Sequence, residues 1–295
     1  PHDHPIRVAE KVAMVDQISG GRVDFGTGRS SAYEQLGFEV DPRNTRDIWE
    51  ESLRMIPEIW QSDEFQWKGK FWNIPPRRIH PKPLQKPHPP IWVAAMQPET
   101  YRLAAERGIG VLAFSSSAPS ALTEHIEDYK EAVKDAQPVG AFVNSQWANF
   151  TVGHCGEDNT AAQKLGAQAI KAFLGPDRPY TQGRGEVYAN LVEAWGGVPD
   201  HLKANFERIV GEEGSIEGGA DVDLAIWQSM DAKTLCERGV IVAGDPDSCI
   251  EGVKRHQDSG ADQLLLLMQC DQVPHEKAMS SIELFGREVI PAFRP

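Results

Sequence analysis

Three runs in this chain, IWVAA (91–95), GVLAF (110–114) and LLLLM (264–268), are apolar at every position, so a strand built from any of them carries hydrophobic side chains on both faces. Such a strand has to be covered above and below, and the arrangement that does this is a parallel sheet wrapped by helices. The segments between the runs supply the helices. Residues 5–19 place Ile6, Ala9, Val12, Ala13 and Ile18 at helical spacing between Pro5 and the stop Gly20-Gly21. Residues 44–60 put Ile48, Trp49, Leu53, Ile56 and Trp60 on one face, with Pro57 expected to kink or break the helix late. Pro98 to Gly108, Pro119 to about Ala136, 159–175, and Asp245 to Gly260 read as further helices, and a last one runs from His275 to about Glu288.

Two more strands complete the pattern, RVDFGTG (22–28) and the long VGAFVNSQWANFTVG (139–153). The expected sheet thus has strands near Val23, Ile91, Val111, Phe142 and Leu264. The fold class is α/β, a TIM-like (β/α)8 barrel. Eight units are needed, and at roughly 30 residues each the three that are missing amount to about 90 residues. The chain begins at Pro1 and leads straight into a helix, so it reads as an N-terminally truncated barrel lacking its first three βα units. It forms one domain over residues 1–295.

Two stretches depart from the rhythm. EFQWKGKFWNI (64–74) has the form of a small hairpin around Lys68-Gly69-Lys70, and a proline-stiffened connection follows it. From 175 to 236 aromatics, glycines and short helical pieces mix without period, as an insertion. Within it Tyr180, Tyr188 and Trp195 either form a lid over an apolar substrate or pack the insertion onto the body.

The net charge of −13 argues against nucleic acid or an anionic membrane as partner, so any anion has to be held by a local basic cluster. The four cysteines, Cys155, Cys236, Cys249 and Cys270, lack the paired spacing of zinc or redox motifs. With no signal segment and no membrane-length apolar run, the cytoplasm is the expected location. No metal site is expected. The pair His2 and His4 could serve a metal but lacks carboxylate company, which favours a solvated tail; in a complete barrel His4 could face the site. Glu50 and Glu51, like Glu212 and Glu213, read as exposed charge.

The chemistry concentrates at GTGRSS (26–31). It is no dinucleotide fingerprint, since the third glycine is absent and no helix opens after Gly28, and no Gly-Lys-Ser/Thr follows as a P-loop requires. A strand whose carboxyl end carries small residues and then Arg29 sits where barrels build active sites. Glycine permits close approach of a flat ligand, and a guanidinium offers paired donors to phosphate. Alternatively, Gly26 and Gly28 only make a tight turn and Arg29 is a solvated charge.

Taken together, HPIRVAEKVAMVDQISGGRVDFGTGRSSAYEQLGF, NTRDIWEESLRMIPEIW, GKFW, PKPLQKPHPPIWVAA and GDPDSCIEGVKRHQDSGADQLLLLMQ resemble the bacterial-luciferase-like flavin-dependent monooxygenases over nearly the whole chain. The resemblance implies a TIM-like barrel with an insertion after the seventh strand, and Val23 then begins the fourth strand. It implies that reduced FMN and O2 oxygenate a small organic substrate, that a flavin reductase supplies the reduced cofactor, and that the protein is a homodimer. Carried over by position, Arg29 and Arg46 hold the FMN phosphate and the flavin lies against Gly28. Met96, Gln97, Thr100, Phe114 and Ser115 come to the cofactor at the ends of the next two strands. No catalytic acid or base can be named, because relatives take it from an early strand. Two alternatives stand beside this reading: hydride transfer with deazaflavin F420 on the same fold, and a non-catalytic flavin-binding or dimer-forming subunit.

Overall fold

The computed structural model describes residues 1–30, 34, 38, 40, 44–114, 118–174, 229–270 and 273–294. Helix α1 (Pro5–Ser19) starts with proline in its first turn and ends at Gly20, whose φ of 72° is the left-handed cap that glycine adopts without strain. It leads into β1 (Phe25–Thr27), which begins at Phe25 rather than Val23. Helix α2 (Thr45–Gln61) runs through Pro57 without ending there. Leu53, Ile56, Ile59 and Trp60 are all buried along the same stretch, and that burial outweighs the one hydrogen bond the proline removes.

The hairpin is present as β2 (Phe65–Lys68) and β3 (Asn73–Arg77), antiparallel. What fixes it is Glu51 on α2. Its Oε1 accepts the Trp67 indole N–H at 2.9 Å and the Trp72 amide at 3.2 Å, while Oε2 accepts the amides of Lys70 at 3.1 Å and Phe71 at 3.0 Å. The expectation of Glu51 as exposed charge is therefore corrected: the turn supplies more unpaired N–H donors than its own strands can satisfy, and one carboxylate takes them.

The main sheet continues with β4 (Ile91–Ala95), helix α3 (Pro98–Glu106), β5 (Gly110–Phe114), helix α4 (Thr123–Ala132) and β6 (Trp147–Cys155). Then come α5 (Asn159–Leu174), a short α6 (Ala232–Glu237), β7 (Val242–Gly244), α7 (Pro246–Asp258), β8 (Gln263–Leu267) and α8 (His275–Leu284), which winds on as a π turn over Phe285–Val289. Asp245 caps α7 by accepting the Ser248 amide at 2.9 Å, as its sequence predicts.

The sheet has six strands, all parallel, in the order β1-β4-β5-β6-β7, with β8 also paired to β6. Two expectations change here. Phe142 is not in a strand, because its ring stacks on buried His88 with centroids 4.8 Å apart in the connection before β6. The three-residue β7 is an additional strand, set on residues 153–155 of β6 beyond the part that pairs with β5. Of the expected insertion, 175–228 lies outside the described residues, including Tyr180, Tyr188 and Trp195. The end of that range is α6, whose neighbour Met230 offers its carbonyl to Lys171 Nζ of α5 at 2.7 Å.

The two faces of the sheet differ. Phe25, Val93, Ala95, Val111, Ala113, Trp147, Asn149 and Thr151 point to the outer face and are buried under the helices. On the inner face Gly26, Ala94 and Leu265 are exposed. The base of that face is closed by Trp92 lying over Gly110, where a Cβ would come within 2.5 Å of the indole. Among the described residues, β1 pairs only with β4, and β7 and β8 each pair only with β6, so the sheet ends in unpaired edges at β1 and at the strands beyond β6. No helix among the described residues is long and apolar enough to cross a membrane.

Candidate active site at the strand ends

Parallel strands bring all their carboxyl ends to one rim, and that rim collects the expected residues. Gly28 and Arg29 directly follow β1, Met96 and Gln97 follow β4, and Phe114 is the last residue of β5. Gly28 continues the register beside Ala94, and a Cβ built on it would make an ordinary 3.8 Å contact with the Ala94 methyl. The two small residues form a low, flat floor between the polar groups around them.

Arg46 stands in the first turn of α2, close enough to Arg29 for like charge to be felt. Burial, and after it the Arg46 charge, push the Arg29 guanidinium below its usual pKa. Two cations held together in this way favour an anion between them. The next residue, Ser30, has φ 67°, the only positive φ outside glycine among the described residues, and its hydroxyl bonds the Glu34 carboxylate. Such backbone strain is characteristic of positions fixed by function. Arg46 also pairs with Glu50 at 3.4 Å, and Glu50 meets Arg107 at 3.6 Å, so Glu50 too is engaged rather than merely solvated.

Met96 is 50% exposed on the rim. Gln97 is the N-cap of α3, its carbonyl accepting the amides of Thr100 at 2.9 Å and Tyr101 at 3.2 Å, and its side chain makes no capping bond. Thr100 is partly buried in that first turn. Ser115 lies outside the described residues.

The amino-terminal segment reaches the same rim, because α1 runs down to the start of β1 and so begins at the opposite end. Here His4 does not face the site. Its Nδ1 accepts the Ile6 amide at 3.2 Å as the helix cap, and its ring packs edge-on against Trp72 at 4.7 Å. His2 departs from the solvated tail expected for it: both of its ring nitrogens are enclosed, beside the Arg29 backbone. The signal that could have found it is topological, since whatever precedes a helix feeding a parallel strand lies at the rim. No cluster of three or more His, Cys, Asp or Glu able to hold a metal occurs among the described residues.

These observations fit an anionic flat ligand such as FMN: two guanidiniums that repel, the enclosed imidazole of His2 next to them, and the glycine-alanine floor. A separate cavity of about 660 Å³, lined by Arg54, Glu58, Arg107 and residues 137–141, lies at the other end of the sheet. Arg107 and the 137–141 loop precede β5 and β6, so this cavity belongs to the base and not to the rim.

A family profile described as luciferase-like monooxygenase matches residues 1–263. The oxygenase component of a flavin-dependent trigonelline monooxygenase from Acinetobacter baylyi is 38% identical over 114 residues, covering 38% of this chain and 31% of that one. An F420-dependent glucose-6-phosphate dehydrogenase from Amycolatopsis mediterranei is 25% identical over 297 residues, 99% of this chain and 75% of that one. Among solved structures, the monooxygenase RslO1 from Streptomyces bottropensis superposes with a TM-score of 0.69 at 22% identity, over 99% of this chain and 75% of that one, which shows a shared fold. The match to the trigonelline enzyme thus spans about a third of its length.

Proposed function

The chain belongs to the luciferase-like monooxygenase family, and from that premise we propose that it is the oxygenase of a flavin-dependent monooxygenase, taking reduced FMN and O2 to oxygenate a small organic substrate. The observation that carries the proposal is the pairing of Arg29 and Arg46 at one strand-end rim beside the Gly28–Ala94 floor. Reduced FMN would supply the electrons and the oxygen-activating ring. The protein's own part is binding, orientation and exclusion of water. Arg29 and Arg46 hold the phosphate by charge-assisted hydrogen bonds. Gly28 and Ala94 leave room for the ring, while Met96 supplies an apolar wall and Gln97, Thr100 and Phe114 border it.

We further propose that three more βα units complete the barrel between β8 and β1. The unpaired edges of those strands and the exposed Gly26, Ala94 and Leu265 support this. A flavin reductase partner is supported by the oxygenase-component relative. A homodimer is proposed as well, and Met14, Val15 and Ile18, exposed on α1, offer it an apolar surface.

The F420-dependent relative gives a second reading, hydride transfer at the same rim. Oxygen uptake by the full-length protein with reduced FMN and a panel of aldehydes, sulfonates, terpenes and trigonelline decides between them. Substrate-dependent uptake with FMN supports the monooxygenase. Turnover with F420 alone, or none with either cofactor, overturns it.

A further inference from the structure

Buried polar groups in folded proteins have partners, so an imidazole with both nitrogens enclosed and no more than one backbone group beside them needs a reason. Trp49 Nε1 and His256 Nε2, in the helix-covered outer layer, and His154 Nδ1, in buried β6, are each a single enclosed nitrogen without a partner. His2 is at the rim. Its ring lies against the Arg29 backbone, which can engage at most one of the two ring nitrogens, and Phe38 covers it edge-on with centroids 5.3 Å apart. Phe38 is itself 66% exposed, so little packing holds it in place and it can swing aside.

Resting on the FMN reading above, we infer that His2 is a third phosphate-binding residue, donating an imidazole N–H to a phosphate oxygen beside Arg29, with Phe38 as the cap that this oxygen displaces. The ionisation state suits the role. Burial first, and the amino group of Pro1 next, push the His2 pKa down, with the Arg29 backbone and the Glu34 carboxylate opposing. A neutral imidazole adds a donor without adding a third positive charge to the pair at Arg29 and Arg46. The negative group that would oppose a phosphate, Glu34, is tied by the Ser30 hydroxyl. The chemical class recognised is a phosphate monoester, and the ring system attached to it plays no part in this contact.

The test compares FMN with riboflavin, which shares the ring but has no phosphate, by fluorescence titration of full-length wild type and variants. His2→Ala should weaken FMN about tenfold, the size of one lost hydrogen bond to a charged group, and leave riboflavin unchanged. His2→Gln, which keeps an N–H donor, should recover most of the loss, and Phe38→Ala should tighten FMN without altering riboflavin. Loss of both flavins alike in His2→Ala, or an FMN-to-riboflavin ratio equal to that of wild type, overturns the role of His2 while leaving the FMN reading intact. Wild type that does not prefer FMN to riboflavin removes the FMN reading itself, and this inference with it.

Discussion

The carboxylate of Asp16, fully buried near the end of α1, accepts the Gln85 backbone N–H at 2.8 Å, 69 residues along the chain. The same carboxylate takes the Gln85 side-chain amide at 2.8 Å and the Val23 amide at 3.4 Å, so one residue fastens the helix to the entry of β1 and to the proline-rich connection. Burial opposes its charge, yet the Gln85 and Val23 donors prevail and hold its pKa below the usual carboxylate range. The stabilisation is therefore complete above that range and is lost as pH falls through the folded value. Asp16→Asn turns an NH2 toward at least one of these donors and should cost about 2–3 kcal/mol, read as a lower urea midpoint with unchanged slope. An unchanged midpoint would show that the connection is held elsewhere.

Glu51→Gln makes the corresponding change at the hairpin. The new NH2 can satisfy none of the N–H groups of Trp67, Lys70, Phe71 and Trp72 that point at this carboxylate. The expected loss is about 2 kcal/mol, with faster amide exchange at Lys70 and Phe71. Protection factors equal to those of wild type would show that the turn holds by itself.

Arg29→Ala should weaken FMN by about 1.5–3 kcal/mol, the range for a hydrogen bond to a charged group, and should barely alter riboflavin. Arg29→Lys should recover only part, since a point charge cannot give the paired donors of a guanidinium. A dissociation constant for FMN that does not move with Arg29→Ala removes this residue from the phosphate site.

Acid should loosen α7 from the sheet before it protonates the carboxylates. His256 is buried against Asn149, whose amide lies 3.2 Å from its Nδ1, and its pKa is pushed down to about 4 by burial, with Arg255 adding to the effect and the Gly239 backbone opposing. A histidine kept neutral in the fold contributes its full stability above the unfolded value near 6.5, and that contribution is lost as pH falls from there toward about 4. The loss for this group alone is up to about 3 kcal/mol across the window. His88 and His154, also lowered mainly by burial, add in the same direction. Urea midpoints of wild type and His256→Gln at several pH values check this: the variant should show the shallower fall, and parallel curves would refute the assignment.

The helices and the strands at Ile91, Val111 and Leu264 were legible because period and punctuation are local properties of the chain. Phe142 was misplaced because an apolar residue in an extended stretch looks the same whether it meets a neighbouring strand or the ring of His88. The strand Val242–Gly244 is too short to carry a pattern, and the partner that defines it lies about 90 residues earlier. Asp16 and Glu51 escaped for the same reason, since a carboxylate's partners are set by chain crossings and not by its sequence neighbours. At the rim, Arg29 could be placed from the strand it follows and Arg46 only from the family resemblance, whereas the position of His2 required knowing which end of the sheet the first residues reach.

Lys171 and the Met230 carbonyl are joined at 2.7 Å, so the two places where the 175–228 stretch leaves and rejoins the body are already neighbours. Loop-closure entropy grows only with the logarithm of length, each doubling costing about 0.6 kcal/mol. With the two anchors already held together, a change in the number of residues between them alters the stability of the described body by little.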